Sequence, residues 1–175
     1  MLFRSIYAIK DELTNTGWGD VRANTTAFVQ QTFTVTGTTA SVSKNPVNFL
    51  PDANGGWWID LPNSGERVST DMSLQFDTLV IGTAIPSGDA CASGGSSWRY
   101  FLNVATGGVV TTNPAGQLWN ANALIVGMSW VKDSDGNVRI IYQDSKGGIS
   151  SEIPPIKKSS LSSGAHRTSW RELTN

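Results

Sequence analysis

Two groups of residues have the types and spacing that chemistry requires. In residues 56–72, GWWIDLPNSGERVSTDM, the adjacent Trp57 and Trp58 precede a turn at Asn63-Ser64-Gly65 that carries Glu66 and Arg67. Aromatic faces beside an acid and a base could form a binding platform with a proton donor or an anion clamp. A catalytic carboxylate, however, needs a second polar group within hydrogen-bond reach, and the spacing indicates none. The favoured reading of Glu66 and Arg67 is structural, as an ion pair or as a cap on backbone groups of the turn.

The second group is Asp133, Asp135, Asn137 and Asp144. Oxygen ligands at the first, third and fifth positions with a carboxylate at the twelfth suit calcium. Against calcium, Val138 stands where the loop needs glycine, Gly136 comes two places early, and the last ligand is Asp rather than Glu. Asp135-Gly136 fits better as the tip of a hairpin between residues 128–132 and 138–142. Trp57, Trp58, Trp98, Trp119, Trp130 and Trp170 could stack sugars or peptides, although core packing is the default for such rings. Neighbours in a strand point to opposite faces, so Trp57 and Trp58 cannot share one side of a sheet. Cys91 is the single cysteine and forms no internal disulfide. It is a poor candidate nucleophile, since the single histidine, His166, sits in a polar Ser/Gly tail.

The elements that must position these residues are strands. With 18 glycines, abundant Thr, Ser, Val and Asn, and only 15% charged residues, the composition is that of an all-β chain. The net charge of -1, with Lys157-Lys158 as the one basic pair, argues against a nucleic-acid partner. No apolar run approaches the roughly 20 residues of a membrane-spanning helix. The opening Met1-Leu2-Phe3-Arg4 lacks the apolar stretch of a secretory signal. Strand-like runs occur at residues 5–9, 32–35, 57–61, 78–83, 98–104, 123–130 and 138–142. Residues 14–51 are polar and irregular, with a hairpin expected within 27–42.

IYAIKDELTNTG, RYFLNVATGG and RIIYQDSKGG share an aromatic-aliphatic strand, one or two polar residues and a turn ending in Gly. This weak repeat suggests β-propeller blades, each a small antiparallel sheet. A propeller closes with about four to eight blades, whereas 175 residues supply about three or four antiparallel sheets. Residues 1–54 read as a divergent blade with a polar insertion, and 55–175 as further blades with a closing strand. Such a partial propeller leaves an apolar blade face and sheet edges exposed unless other protomers or the remainder of the propeller cover them. Packed four-stranded sheets are expected around residues 57–106.

GGWWIDLPNSGERVSTD from Gly55, IPSGDACASGGSSWRYFLNVATGG from Ile85 and the closing RTSWREL from Arg167 resemble the C-terminal region of type IV pilus tip-associated adhesins, the PilC/PilY family. The three motifs occur in the family's order. The resemblance implies the C-terminal blades of a larger modified β-propeller, at the pilus tip or cell surface, acting without catalysis in pilus biogenesis, adhesion and twitching motility. It implies the pilus tip and minor pilins as partners, with a host or surface ligand unspecified. The family's calcium loop lies before the matched region and does not carry over. The closing segment implies a terminal strand anchored by Trp170. Two alternatives are a fragment of a quinone-dependent dehydrogenase, whose propeller repeats YFLNVATGG also resembles, and a stand-alone β-sandwich binding module.

Overall fold

The computed structural model describes residues 4–11, 13, 17–49, 54–88 and 94–156. Cys91, Lys157, Lys158, His166, Trp170 and the 167–173 segment lie outside them. Among the described residues the chain forms strands in three sheets and no helix. The first sheet comprises β1 (Ser5–Ile9), β2 (Phe28–Gln31) and β5 (Gly56–Asp60), with β5 in the middle, antiparallel to β1 and parallel to β2. The central sheet comprises β3 (Phe33–Thr36), β4 (Thr39–Val42), β6 (Arg67–Val68), β7 (Ser73–Gln75), β8 (Thr78–Pro86), β9 (Gly95–Asn103) and β10 (Gly116–Asn120). The third is a meander of β11 (Ile125–Lys132), β12 (Val138–Asp144) and β13 (Ile149–Glu152).

The long pair β8 and β9 explains the layering. Its sequences, TLVIGTAIP and GSSWRYFLN, are apolar on successive residues rather than alternate ones, as strands covered on both faces must be. Register sets Ile81 beside Tyr100 and Thr83 beside Trp98 on one face. That face closes on Ile6, Trp57 and Ile59 of the first sheet in one buried cluster. The opposite face carries Val80 and Phe101, which pack with Val110 against Ile125, Ile140 and Tyr142 of the third sheet. The three sheets are therefore stacked, with the central one buried on both sides.

Two fine features make this packing possible. Gly116 pairs with both Ala40 and Tyr100, and a Cβ at that position would overlap the Tyr100 ring. The glycine lets the aromatic ring lie flat across its neighbouring strand. Gln31, fully buried in β2, donates to the carbonyls of Asn45 (2.7 Å) and Thr106 (2.8 Å) and accepts from Ser43 Oγ and the Asn45 N–H. A buried amide with every group bonded fixes two loops, those after β4 and after β9, to β2.

The all-β expectation holds, and the expected run at residues 5–9 coincides with β1. The expectation of four-stranded antiparallel sheets does not. The sheets have three, seven and three strands among the described residues, none closes on itself, and β2 runs parallel to β5. The parallel pairing arises because the chain leaves the first sheet after β2, forms the β3–β4 hairpin in the central sheet, and returns at β5. The hairpin expected within residues 27–42 is thus confined to β3 and β4. Strands from both sides of residue 54 share the first and central sheets. Outer faces remain partly open, with Tyr7 and Ile9 exposed on the first sheet and Val131 and Ile149 on the third.

Candidate functional site

The paired tryptophans sit on opposite faces of β5. Trp57 is fully buried between the first and central sheets, and its Nε1 donates to the Val104 carbonyl at 2.8 Å. Gly107, with φ of 67°, lies against this indole so closely that a Cβ would overlap the ring. Trp58 points the other way, into a cluster with Tyr7 and Arg22. The Arg22 guanidinium lies 4.1 Å from the Trp58 ring centroid and 5.8 Å from that of Tyr7. It also binds Asp60 and Ser5, and its Nε donates to Tyr7 Oη at 2.8 Å. Burial alone would raise the Asp60 carboxyl pKa, but the hydrogen bonds from Arg22 and Ser5 together outweigh it and hold the group below its ordinary value.

Glu66 is the most unusual side chain of the first group. It is completely buried, and its carboxylate accepts four hydrogen bonds. Asn63 gives its backbone N–H (3.1 Å) and Nδ2 (2.8 Å) to Oε2, while the hydroxyls of Thr83 and Tyr100 (2.8 Å for the latter) bind Oε1. Arg4 donates to the Glu66 carbonyl at 3.0 Å, and Arg67 is exposed. Glu66 therefore caps its own turn, and no Glu66–Arg67 ion pair forms. Burial first, then the Glu66 charge and hydrogen bond, push the Tyr100 hydroxyl pKa upward, so it stays a donor. Spacing in the sequence gives no sign that Thr83 and Tyr100 meet Glu66. The β8–β9 register puts both on the face turned toward Glu66, a relation visible only once the two strands are paired.

The acidic group divides between two turns. Asp133 Oδ1 accepts the N–H groups of Asp135 (3.1 Å) and Asn137 (2.8 Å), and Oδ2 accepts from Asn137 Nδ2 (3.4 Å) and Arg139 Nε (3.1 Å). Those backbone bonds, from Asn137 first, and the bond from Arg139 hold its pKa below the ordinary value against a smaller opposing effect of desolvation. Gly136 takes φ of 83° at the tip of the β11–β12 hairpin. Asp144 begins the next turn, at the far end of β12, about 20 Å away at the usual strand rise. Asp133, Asp135, Asn137 and Asp144 thus form no single ligand set. Among the described residues no cluster of three or more Asp, Glu, His or Cys could hold a metal.

The turns of two of the repeated runs, RYFLNVATGG and RIIYQDSKGG, share a cause with the Asp133 turn. Asn103, Asp133 and Asp144 each accept backbone N–H groups two and three or four residues on. Each turn then reaches a glycine with positive φ, at Gly107, Gly136 or Gly147. Of the other aromatic candidates, Trp98 is buried and stacked 6.2 Å from Tyr100, and Trp130 donates to Ser73 Oγ. Trp119 is half-buried beside Tyr142, with rings 5.6 Å apart, and also borders an open cleft of about 260 Å³. Arg99 pairs with Glu152, which accepts from Tyr142 Oη at 2.6 Å, joining the central and third sheets.

No helix among the described residues is long and apolar enough to cross a membrane. No family model matches the chain, and no solved structure matches it. Curated proteins do. Type IV pilus biogenesis factor PilY1 of Pseudomonas aeruginosa strain PAO1 is 35% identical over 86 residues, covering 44% of this chain and 7% of that protein. The PilY1 of strain UCBPP-PA14 is 35% identical over 81 residues, covering 38% and 7%. The PilY1 homologue of Xylella fastidiosa strain Temecula1 is 36% identical over 76 residues, covering 40% and 5%. The match spans less than a tenth of each relative's length. About two fifths of this chain is therefore a PilY1-like region, similar to the type IV pilus family whose motifs its sequence resembles.

Proposed function

We propose that the chain is a non-enzymatic structural and adhesive module of a type IV pilus-associated protein. In this reading it works at the cell surface or pilus tip, with minor pilins as partners, and supports pilus assembly, adhesion and twitching. The observation that carries it is the 35% identity over 86 residues to a type IV pilus biogenesis factor. The stacking of three sheets through apolar faces is consistent with neighbouring blades of a larger propeller. The exposed outer faces at Tyr7 and Ile9 and at Val131 and Ile149 suit packing against further sheets of the same kind. Glu66, the one fully buried carboxylate among the described residues, is consumed by structural donors, which favours architecture over catalysis. The test is in-frame removal of the coding segment from the chromosome of its source organism, followed by electron-microscopic counts of surface pili and twitching-zone measurements. Loss of surface pili or of twitching is expected. Unchanged piliation and motility would overturn the reading.

A further inference from the structure

The open cleft lies where the end of β10 meets the β12–β13 hairpin. It is lined by Trp119, Asn120, Asp144, Gly148, Ile149 and Ser150. Trp119 is held from behind by Tyr142 and the second core cluster, so its position is set by packing.

The two turns of the third sheet differ at the carboxylate that organises each of them. Both read Asp-Ser-x-Gly-x, and in both the first carboxylate oxygen accepts two backbone N–H groups, here those of Lys146 and Gly148 at 2.8 Å each. In the Asp133 turn, the residues four and six places on, Asn137 and Arg139, also donate to the second oxygen. In the Asp144 turn those places are Gly148 and Ser150, and Oδ2 has no hydrogen-bond partner among the described residues. Gly148 is required for this arrangement, because a Cβ there would overlap the carboxylate. The Asn120 amide is oriented by its Oδ1, which accepts the Asn122 N–H at 2.8 Å. Its Nδ2, the Ser150 hydroxyl and the Trp119 indole N–H remain available to a ligand.

This lining is an aromatic surface with one charged acceptor and three neutral donors. An anion would meet the Asp144 charge with no cation among the lining residues, and a metal would find a single carboxylate. A volume below the roughly 300 Å³ at which drug-sized pockets begin limits the occupant to a small group. We propose that the cleft binds a neutral sugar ring. The C–H face of the pyranose lies on Trp119, and its hydroxyls donate to Asp144 Oδ2 and accept from Asn120 and Ser150. The inference supplies a ligand class for the adhesive part of the proposed function, and rests on that reading only for its biological setting.

The test titrates the chain with maltose, lactose and N,N′-diacetylchitobiose, followed by saturation-transfer NMR and tryptophan fluorescence. Saturable binding of at least one sugar is expected, weakened about tenfold or more by Trp119→Ala and by Asp144→Asn. An asparagine at 144 keeps an oxygen for the Lys146 and Gly148 N–H groups, so the turn survives while the free acceptor becomes a donor. If Trp119→Ala fails to fold, Asp144→Asn carries the test. Asp133→Asn, the same change in the sister turn, should leave binding unchanged. Absence of saturable binding by all three sugars, undiminished binding by Asp144→Asn, or a site filled only by an extended peptide along β13 would overturn the proposal. None of these outcomes bears on pilus number, so the two readings fail separately.

Discussion

Replacing Glu66 with alanine should destabilise the chain more than any neighbouring polar change. Four donors converge on this buried carboxylate, two from Asn63 and one each from Thr83 and Tyr100. Thr83 has a fallback in the Trp98 carbonyl at 3.5 Å, and Asn63 is partly exposed and can turn to water. Tyr100 is fully buried, and its hydroxyl would be stranded. Hydrogen bonds to a charged group contribute about 1.5–3 kcal/mol, and an orphaned buried donor costs about 1–3 kcal/mol, so the loss should be about 3–5 kcal/mol. In a chain of this size that corresponds to roughly 6–20 °C in Tm. Glu66→Gln keeps the shape and can leave an oxygen toward Asn63 while its amide faces the two hydroxyls, which both accept. It should cost about 1–2 kcal/mol, as should Tyr100→Phe. Urea titrations followed by circular dichroism give these values, and the Glu66→Gln/Tyr100→Phe cycle should show a coupling of about 0.5 kcal/mol or more. Equal losses for the alanine and glutamine variants, or an alanine loss under about 1 kcal/mol, would refute the claim that this carboxylate organises the turn.

Gly116→Val should lower the urea midpoint by about 1–3 kcal/mol equivalent, because its side chain must displace the Tyr100 ring. Trp57→Phe should cost about 2–4 kcal/mol in the same assay, through the lost bond to Val104 and the space left between two sheets. Arg22→Ala should uncover Trp58, seen as red-shifted tryptophan emission and stronger acrylamide quenching. The Asp60 carboxyl is depressed in the folded state, so its contribution to stability is complete above the ordinary value of 3.8 and is lost as pH falls through the lower folded value. Asp60→Asn should flatten the decline of Tm with acidification in that range.

How far the sequence foretells this arrangement depends on the distance over which each relation acts. The β8 strand is visible in Leu79-Val80-Ile81 because an uninterrupted apolar run needs no partner to be recognised. The Asp135-Gly136 hairpin is visible because a glycine with positive φ and an acid that binds its own turn are local chemistry. Strand alternation likewise separates Trp57 from Trp58. By contrast β13, Ile149-Ser150-Ser151-Glu152, has one apolar residue and becomes a strand only by pairing with β12. The parallel β2–β5 contact has no local mark, and two of the four donors to Glu66 come from residues 17 and 34 positions away. The cleft is harder still, because it depends on what the Asp144 turn lacks relative to the Asp133 turn.

The path of the chain between layers bears on how the protein comes apart. The first and central sheets exchange the backbone twice, out after β2 and back at β5, before β6 returns it to the central layer. Neither can dissolve without pulling strands from the other, so amide exchange in β5, β8 and β9 should report one cooperative event. The third sheet is a single uninterrupted stretch, Ile125 to Glu152, held through one apolar face, the Arg99–Glu152–Tyr142 link and the bonds from Trp130 Nε1 to Ser73 and from the Ile125 N–H to Ser97 Oγ. It can lift away as a unit while the other two layers persist. Its opening would expose Val80 and Phe101, giving the chain a second apolar surface that exists only in that partly unfolded state.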